Sequence, residues 1–195
     1  MNLIRRQSIF LGLAGSLSFC VTAKDTSSKS ELPSDPKKLN HLQHHLQSPR
    51  VVGKGLYSVW GFDIYHATLW GSEKTFKPEQ WHTQRLALEL RYARSFNSKE
   101  IAKRSIDEIH IQSQIPTEKV QSWLKILEDL FPNVDKDQTI TGIYLPGENS
   151  QFLFNDKPIG SISDLDLSQR FFAIWLSPKT TAPALRKALF NDNIK

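Results

Sequence analysis

The glycine Gly61, between two strand-like runs, is the feature that most constrains what this chain can fold into. Val51–Trp60 and Phe62–Trp70 are rich in β-branched and aromatic residues, which predicts two successive strands. In the second run the side chains alternate between two faces, and bulky residues occur on both. We therefore expect this strand to be covered on both sides.

Tyr65 lies in the middle of the second run and allows two interpretations. A buried tyrosine brings a large apolar ring and a hydroxyl that needs a hydrogen-bond partner. It is therefore either a core residue that anchors the sheet or a pocket residue whose hydroxyl faces a ligand. The strand pattern alone favours the core interpretation.

The first residues of the chain have the parts of a secretory signal. Within Met1–Ala23, Arg5 and Arg6 form a positive start, and Ile9–Val21 is an apolar run too short to span a bilayer comfortably. We expect cleavage and export to the periplasm. A twin-arginine route, lipidation at Cys20 and an uncleaved anchor remain alternatives.

A polar tether, residues 24–39, is predicted next, followed by a single domain over residues 40–195. At the start of the domain, His41, His44 and His45 would share one face of a helix. Three imidazoles can bind zinc when a further ligand completes the site. A solvated segment is the favoured interpretation and metal binding the minor one.

The remaining elements occur in blocks of strands and helices, which argues for an α+β fold with an antiparallel sheet. An Asn97–Glu100 capping box predicts the start of the first long helix. The apolar stripe of Val120–Phe131 predicts a helix that forms the main lid over the sheet. The predicted strands are 85–96, 138–144, 151–154 and 158–163, and the predicted helices are 97–111, 116–131, 164–176 and 183–190.

Composition excludes several classes of function. Net charge is +5, and it becomes 5 − 2 = +3 if Arg5 and Arg6 are removed. The basic residues form no run with interleaved aromatic residues, so no nucleic-acid partner is expected. Cys20 is the single cysteine. No phosphate loop, zinc-protease motif or nucleophile elbow is present, so we assign no catalytic residue and expect no cofactor.

Four segments together resemble the chalcone isomerase-like family, in its bacterial exported branch. In chain order they are GFDIYHATLW (61–70), LELRYARSFNSKEIAKRS (88–105), TGIYLPGENSQFLFNDKPIGSI (141–162) and FFAIWLSPKTTAPALRKALF (171–190). The resemblance implies a long antiparallel sheet with a helical layer on one face. It also implies a ligand between sheet and helices.

The resemblance implies a small set of site residues. Catalytic members of the family use an Arg on the first long strand and a Thr on the next. Fatty-acid-binding members keep the Arg and have a Tyr in place of the Thr, and Tyr65 falls at that position. The first run has no arginine, so Lys54 is the candidate substitute, without the bidentate fork of a guanidinium.

Further candidates come from the neighbouring elements. Arg50 and Arg91 are less favoured stand-ins for the missing arginine. Arg91 is expected on the face of the third strand opposite its leucines, where an ion pair with Glu89 is the simpler interpretation. Tyr92, on the leucine face, completes the ligand-binding set of Tyr65, Lys54, Arg91 and Tyr92.

Three functions stay open at this point. The leading hypothesis is an exported, non-catalytic monomer that binds a fatty acid or another lipid-like molecule, and it leaves room for peripheral membrane association. The second is an isomerase, or intramolecular lyase, in which Tyr65 polarises a carbonyl group. The third is a structural or interaction protein of the cell envelope with a vestigial pocket.

Overall fold

The computed structural model describes residues 36–72 and 76–191, with side chains from residue 41 onward. The predicted signal and residues 24–35 of the predicted tether lie outside these ranges. The strands are β1 (Arg50–Val59), β2 (Phe62–Gly71), β3 (Leu86–Tyr92), β4 (Thr139–Tyr144), β5 (Ser150–Phe154) and β6 (Lys157–Ile162). The helices are α1 (Pro36–His45), α2 (Ser98–Gln112), α3 (Thr117–Leu130), α4 (Leu165–Leu176) and α5 (Pro183–Leu189), with a 3-10 helix at Pro78–Thr83.

The six strands form one antiparallel sheet in which each strand pairs with its neighbours in sequence. The turn between β1 and β2 has positive φ angles at Trp60 (50°) and Gly61 (82°). Two successive residues with positive φ match the right-handed twist of a hairpin, and glycine adopts this conformation without strain. In the register of the sheet, Tyr65 stands between Tyr57 of β1 and Tyr92 of β3. The α+β fold class is confirmed.

Helices α2 to α5 cover one face of the sheet, which we call the front face. The helix α2 begins at the predicted capping box, in which Asn97 and Glu100 each accept a hydrogen bond from the other's backbone N–H. The helix α4 lies centrally and contacts α2, α5, β4 and β6. The helix α3 packs mainly on α2 and against β6. The prediction that α3 is the main lid was therefore wrong, and α4 and α2 take that role.

The last helix, α5, packs on β1, where the strand has no side chain in the way. A Cβ atom at Gly53 would overlap the carbonyl oxygens of Ala188 and Leu189, and one at Gly55 would lie 2.6 Å from Cδ1 of Leu185. The absence of these two side chains lets α5 approach the strand. This contact closes the front layer over the β1 edge of the sheet.

The other face of the sheet, the back face, carries the short helix α1. Leu42 and Leu46 are fully buried there in a cluster with back-face side chains of the sheet, including Trp70 and Ile143. Burying these leucines stabilises the helix at this position. The interpretation of this stretch as a solvated segment was therefore wrong, and α1 begins inside the predicted tether. Within the described residues, no group of His, Cys, Asp or Glu side chains is placed to hold a metal ion.

None of the described helices is long and apolar enough to cross a bilayer.

Candidate ligand cavity

A cavity of about 620 Å³ lies between the front face of the sheet and helices α2 and α4. This volume falls within the range of about 300–1,000 Å³ that small-molecule sites usually occupy. Most of the lining is aliphatic or aromatic, and the polar groups are few. The aliphatic lining residues are Val59, Ile64, Leu88, Leu90, Ile101, Ile140, Ile174 and Ala182, and the aromatic ones include Tyr57, Trp60, Phe96, Phe131, Phe152, Phe171 and Phe172.

The phenylalanine side chains on the lining form a continuous aromatic wall. Phe152 of β5 meets Phe171 of α4 with ring centroids 5.5 Å apart, and Phe172 lies 6.2 Å away. Gly142 of β4 makes room for these rings, because a Cβ there would lie 2.9 Å from Cζ of Phe172. This wall offers an apolar surface and no hydrogen-bonding group to a ligand.

Tyr65 supplies one polar group of the cavity. Its hydroxyl oxygen accepts a hydrogen bond from the indole Nε1–H of Trp175, at 2.9 Å. Its ring stacks on Tyr57 at 5.1 Å between centroids and meets the edge of Tyr92 at 6.1 Å. Within the described residues no acceptor receives the Tyr65 hydroxyl proton. That proton can therefore be donated to a ligand.

Electrostatics keep Tyr65 in its neutral form. Burial raises the pKa of the Tyr65 hydroxyl, the indole of Trp175 acts in the opposite direction, and nearby Tyr57, Tyr92 and Glu108 add to the rise. Burial also raises the pKa of Tyr92, which lines the same cavity. Both hydroxyls therefore stay neutral around pH 7 and can act as hydrogen-bond donors.

Glu108 of α2 is the second polar feature of the cavity. Only 5 % of the residue is exposed. One carboxylate oxygen accepts from the hydroxyl of Thr181 at 2.7 Å, and the other pairs with the guanidinium of Arg104 one helical turn away. Buried carboxylates are found where such partners offset the loss of water. Arg104, Glu108 and Thr181 all line the cavity.

The tip of the β1–β2 hairpin borders the cavity and is exposed. Trp60 and Val59 line the cavity, yet Trp60 is 94 % exposed. Phe62, on the other side of the turn, is 63 % exposed, and the guanidinium of Arg94 lies 5.8 Å from its ring centroid. Two exposed aromatic side chains, one of them beside a cation, therefore lie at the border of the cavity.

The structure brings together only two of the four predicted ligand-binding residues. Tyr65 and Tyr92 line the cavity. Lys54 and Arg91 lie on the back face, around a polar depression that also includes Glu89. The alternation of side chains along β1 and β3 points these two cations away from α5 and the helical layer. The structure therefore does not bring the four predicted residues together at one cavity.

The remaining predicted cations also stand apart from the cavity. Arg91 forms an ion pair with Asp137, with 3.2 Å between Nη1 and Oδ1. The backbone of Arg50 pairs with that of Gly71, at the end of the β1–β2 hairpin opposite its turn. On β1, the residue directly opposite Tyr65 is Tyr57, so an aromatic ring stands beside Tyr65 instead of a cation.

Sequence reasoning missed Arg104, Glu108, Trp175 and Thr181 as cavity residues. A signal for Glu108 was present, because Ile101, Ser105 and Glu108 follow the spacing i, i+4, i+7 of one helical face. A carboxylate on a helix face that also carries buried residues needs a hydrogen-bond or ion-pair partner. Nothing local marked Trp175 or Thr181, which reach the cavity from the last third of the chain.

The fold and the cavity define an α+β protein with a ligand-sized apolar space between an antiparallel sheet and a helical layer. Comparison with known proteins assigns this class to a family. The model of chalcone isomerase-like proteins matches residues 37–191, and the chain belongs to the chalcone isomerase-like family.

Two similar proteins put this assignment in context. An uncharacterized protein of Haemophilus influenzae is 28 % identical over 138 residues, which span 71 % of this chain and 66 % of that relative. The crystal structure of the fatty-acid binding protein AtFAP1 of Arabidopsis thaliana superposes with a TM-score of 0.57 at 14 % identity. That match covers 75 % of this chain and 88 % of the plant chain. At this level of identity the likeness shows a common fold.

Proposed function

We propose that this protein binds a lipid-like small molecule, a fatty acid or another compound with a long apolar chain and one polar end, in the cavity between sheet and helices. The observation that carries the proposal is the cavity itself, about 620 Å³ with a mostly apolar lining. The binding of fatty acids by the plant protein of the same fold supports it.

The distribution of polar groups fits such a ligand. Burying a methylene group contributes about 0.8 kcal/mol, so about ten methylenes against the phenylalanine wall would contribute about 8 kcal/mol before the costs of binding. A single neutral hydrogen bond contributes about 0.5–1.5 kcal/mol. The apolar chain would therefore supply most of the affinity, and Tyr65 would mainly orient the polar end.

We propose further that the protein does not act as an isomerase. In the catalytic relatives described above, an Arg and a Thr on neighbouring strands polarise a ketone. Here Tyr65, which the resemblance places at the Thr position, stacks on Tyr57 of the preceding strand. The raised pKa makes Tyr65 a weaker acid. Chalcone-to-flavanone conversion above the uncatalysed rate would contradict this part of the proposal.

Export to the periplasm and contact with a membrane surface complete the proposal. The composition of residues 1–23 supports export. The exposed aromatic side chains of the hairpin tip support peripheral contact with a bilayer, because tryptophan and phenylalanine partition into its interface. A ligand could then pass between the bilayer and the adjoining cavity. Fractionation of cells that produce the full chain tests the location.

Native mass spectrometry of the full chain, purified without detergent, tests binding directly. We expect a bound lipid-like species, and titration of the delipidated protein with long-chain ligands should restore it. The absence of any bound species together with no binding in titration would overturn the proposed function.

A cavity-filling variant connects this binding to the site. Ser105 lines the cavity, and among the described residues its hydroxyl bonds only to the Ile101 carbonyl one turn back in α2. In Ser105→Phe the new ring would occupy ligand space, so binding should fall steeply. Ser122→Phe is the matched control, because Ser122 is exposed on α3 and makes the same kind of bond to Lys119.

A further inference from the structure

We propose that the cavity selects ligands whose polar end is uncharged, a hydroxyl group above all, and discriminates against an ionised carboxylate. The inference rests on the proposed lipid-binding function and narrows its ligand class. Four side chains that meet at the cavity carry it: Tyr65, Arg104, Glu108 and Thr181.

The described cavity lining carries two carboxylates, those of Glu100 and Glu108, and a single cation. Glu108 is 5 % exposed, and its two oxygens are engaged by Thr181 and by Arg104. Arg104 is the one cationic side chain on the described lining of the cavity. The negative charge of Glu108 is therefore already balanced, and no second cation of the described lining remains for a ligand.

An ionised carboxylate in this cavity would compete with Glu108 for Arg104. If Arg104 turned to the ligand, Glu108 would keep its charge in a buried site without a counter-ion, which is strongly unfavourable. If Arg104 bridged both groups, two negative charges would face one positive charge. Lys54 and Arg91 cannot help, because both lie on the back face of the sheet. Either arrangement disfavours a carboxylate ligand.

A ligand hydroxyl group would find both a donor and an acceptor in this cavity. The hydroxyl proton of Tyr65 has no acceptor among the described residues and can be donated to a ligand oxygen. Each oxygen of Glu108 has one described partner and can accept a second hydrogen bond. A ligand hydroxyl, which both accepts and donates, leaves the Arg104–Glu108 pair intact. A neutral ester or ketone would use the Tyr65 donor alone.

Calorimetric titration of the delipidated full chain with three ligands of equal chain length tests the inference. The ligands are dodecan-1-ol, methyl dodecanoate and dodecanoic acid at about pH 8, where a carboxylic acid is ionised. We expect the alcohol to bind at least about tenfold more tightly than the acid, because the acid must disturb the ion pair that balances the buried carboxylate of Glu108. The ester should fall between them.

The variant Glu108→Gln separates this effect from a general preference for apolar ligands. It removes the buried negative charge while an amide oxygen remains for Thr181, and it frees Arg104 for a ligand carboxylate. The ratio of alcohol to acid affinity should fall by at least about tenfold. The matched control is Asp129→Asn, which removes an exposed carboxylate that pairs with Lys125 one turn away on α3, outside the cavity lining, and should leave the ratio unchanged.

The outcomes distinguish this inference from the function on which it rests. No binding of any of the three ligands would overturn the proposed function, and the inference with it. Binding in which the ionised acid equals or exceeds the alcohol would overturn the inference alone. This comparison uses the wild-type protein, so it stands even if Glu108→Gln fails to fold. An unchanged ratio in a folded Glu108→Gln variant would also overturn it.

Discussion

The indole Nε1–H of Trp175 donates a hydrogen bond to the hydroxyl oxygen of Tyr65 across 2.9 Å, and so joins α4 to β2. The bond restrains the orientation of the tyrosine side chain. It occupies one acceptor site on the hydroxyl oxygen and leaves the hydroxyl proton for another partner. It also spans the cavity boundary between the sheet and the helical layer. A ligand that binds Tyr65 would therefore contact a residue that belongs to the sheet and is hydrogen-bonded to the helical layer through Trp175.

Removing this hydroxyl should affect both stability and binding. In Tyr65→Phe the buried indole N–H of Trp175 loses its acceptor, which should lower the free energy of unfolding by about 1–3 kcal/mol. The loss of one hydrogen bond to the ligand should weaken binding by about threefold to tenfold. Urea denaturation and calorimetric titration with dodecan-1-ol measure the two effects.

Two control variants accompany this prediction. Tyr144→Phe removes a hydroxyl that bonds to the carbonyl of His82, away from the described cavity lining, so stability should fall slightly and ligand affinity should not change. Lys54→Ala should leave affinity unchanged, because the side chain lies on the back face. A loss of affinity in Lys54→Ala would contradict the placement of the site on the front face.

The tyrosines predict a dependence of stability on alkaline pH. Burial raises the pKa values of Tyr65, Tyr92 and Tyr144 above the ordinary value of about 10. The folded state therefore favours the protonated hydroxyls. The stability that they contribute is complete below about pH 10 and is lost as the pH rises further.

A tyrosinate absorbance titration, read together with circular dichroism, checks this dependence. Tyr65, Tyr92 and Tyr144 should ionise as the fold is lost rather than near about pH 10. Guanidinium-unfolded protein provides the reference titration. Ionisation of these three tyrosines near about pH 10, with the circular dichroism spectrum intact, would contradict the burial of their hydroxyls.

The hairpin tip predicts binding to anionic vesicles. Replacing Trp60 and Phe62 by serine removes two exposed aromatic rings, so partition of the full chain into phosphatidylserine-containing vesicles should fall by at least about tenfold. Sedimentation with the vesicles measures it. Ile111→Ser is the control, since Ile111 is also exposed, at 62 %, but lies outside this tip. Equal loss in the control would argue against a specific role for the hairpin.

The helix α1 should contribute to stability through its buried leucines. Leu42 is fully buried on the back face, so Leu42→Ala should lower the free energy of unfolding by about 2–5 kcal/mol. The exposed neighbour His44 offers the control variant His44→Ala, which should change stability by less than about 0.5 kcal/mol. Urea denaturation compares the two. Equal effects would mean that α1 does not pack as described.

Local sequence patterns were sufficient for most elements of the fold. The alternation of Phe62–Trp70 predicted β2, the Asn97–Glu100 capping box predicted the start of α2, and the apolar stripe of Val120–Phe131 predicted α3. These predictions held because each pattern reflects hydrogen bonding and burial within a single element. The role of α3 was predicted wrongly, because a stripe shows that a helix is buried but not which surface it covers.

The sequence by itself determined an α+β chain with a tyrosine at the centre of its second strand. Tertiary structure alone decided which residues join that tyrosine. Lys54 and Arg91, the cations expected beside it, lie on the back face, whereas Glu108 and Trp175 come to the cavity from separate helices. The physical reason is that periodicity assigns side chains to the faces of one element. Only the packing of elements against each other sets which faces meet.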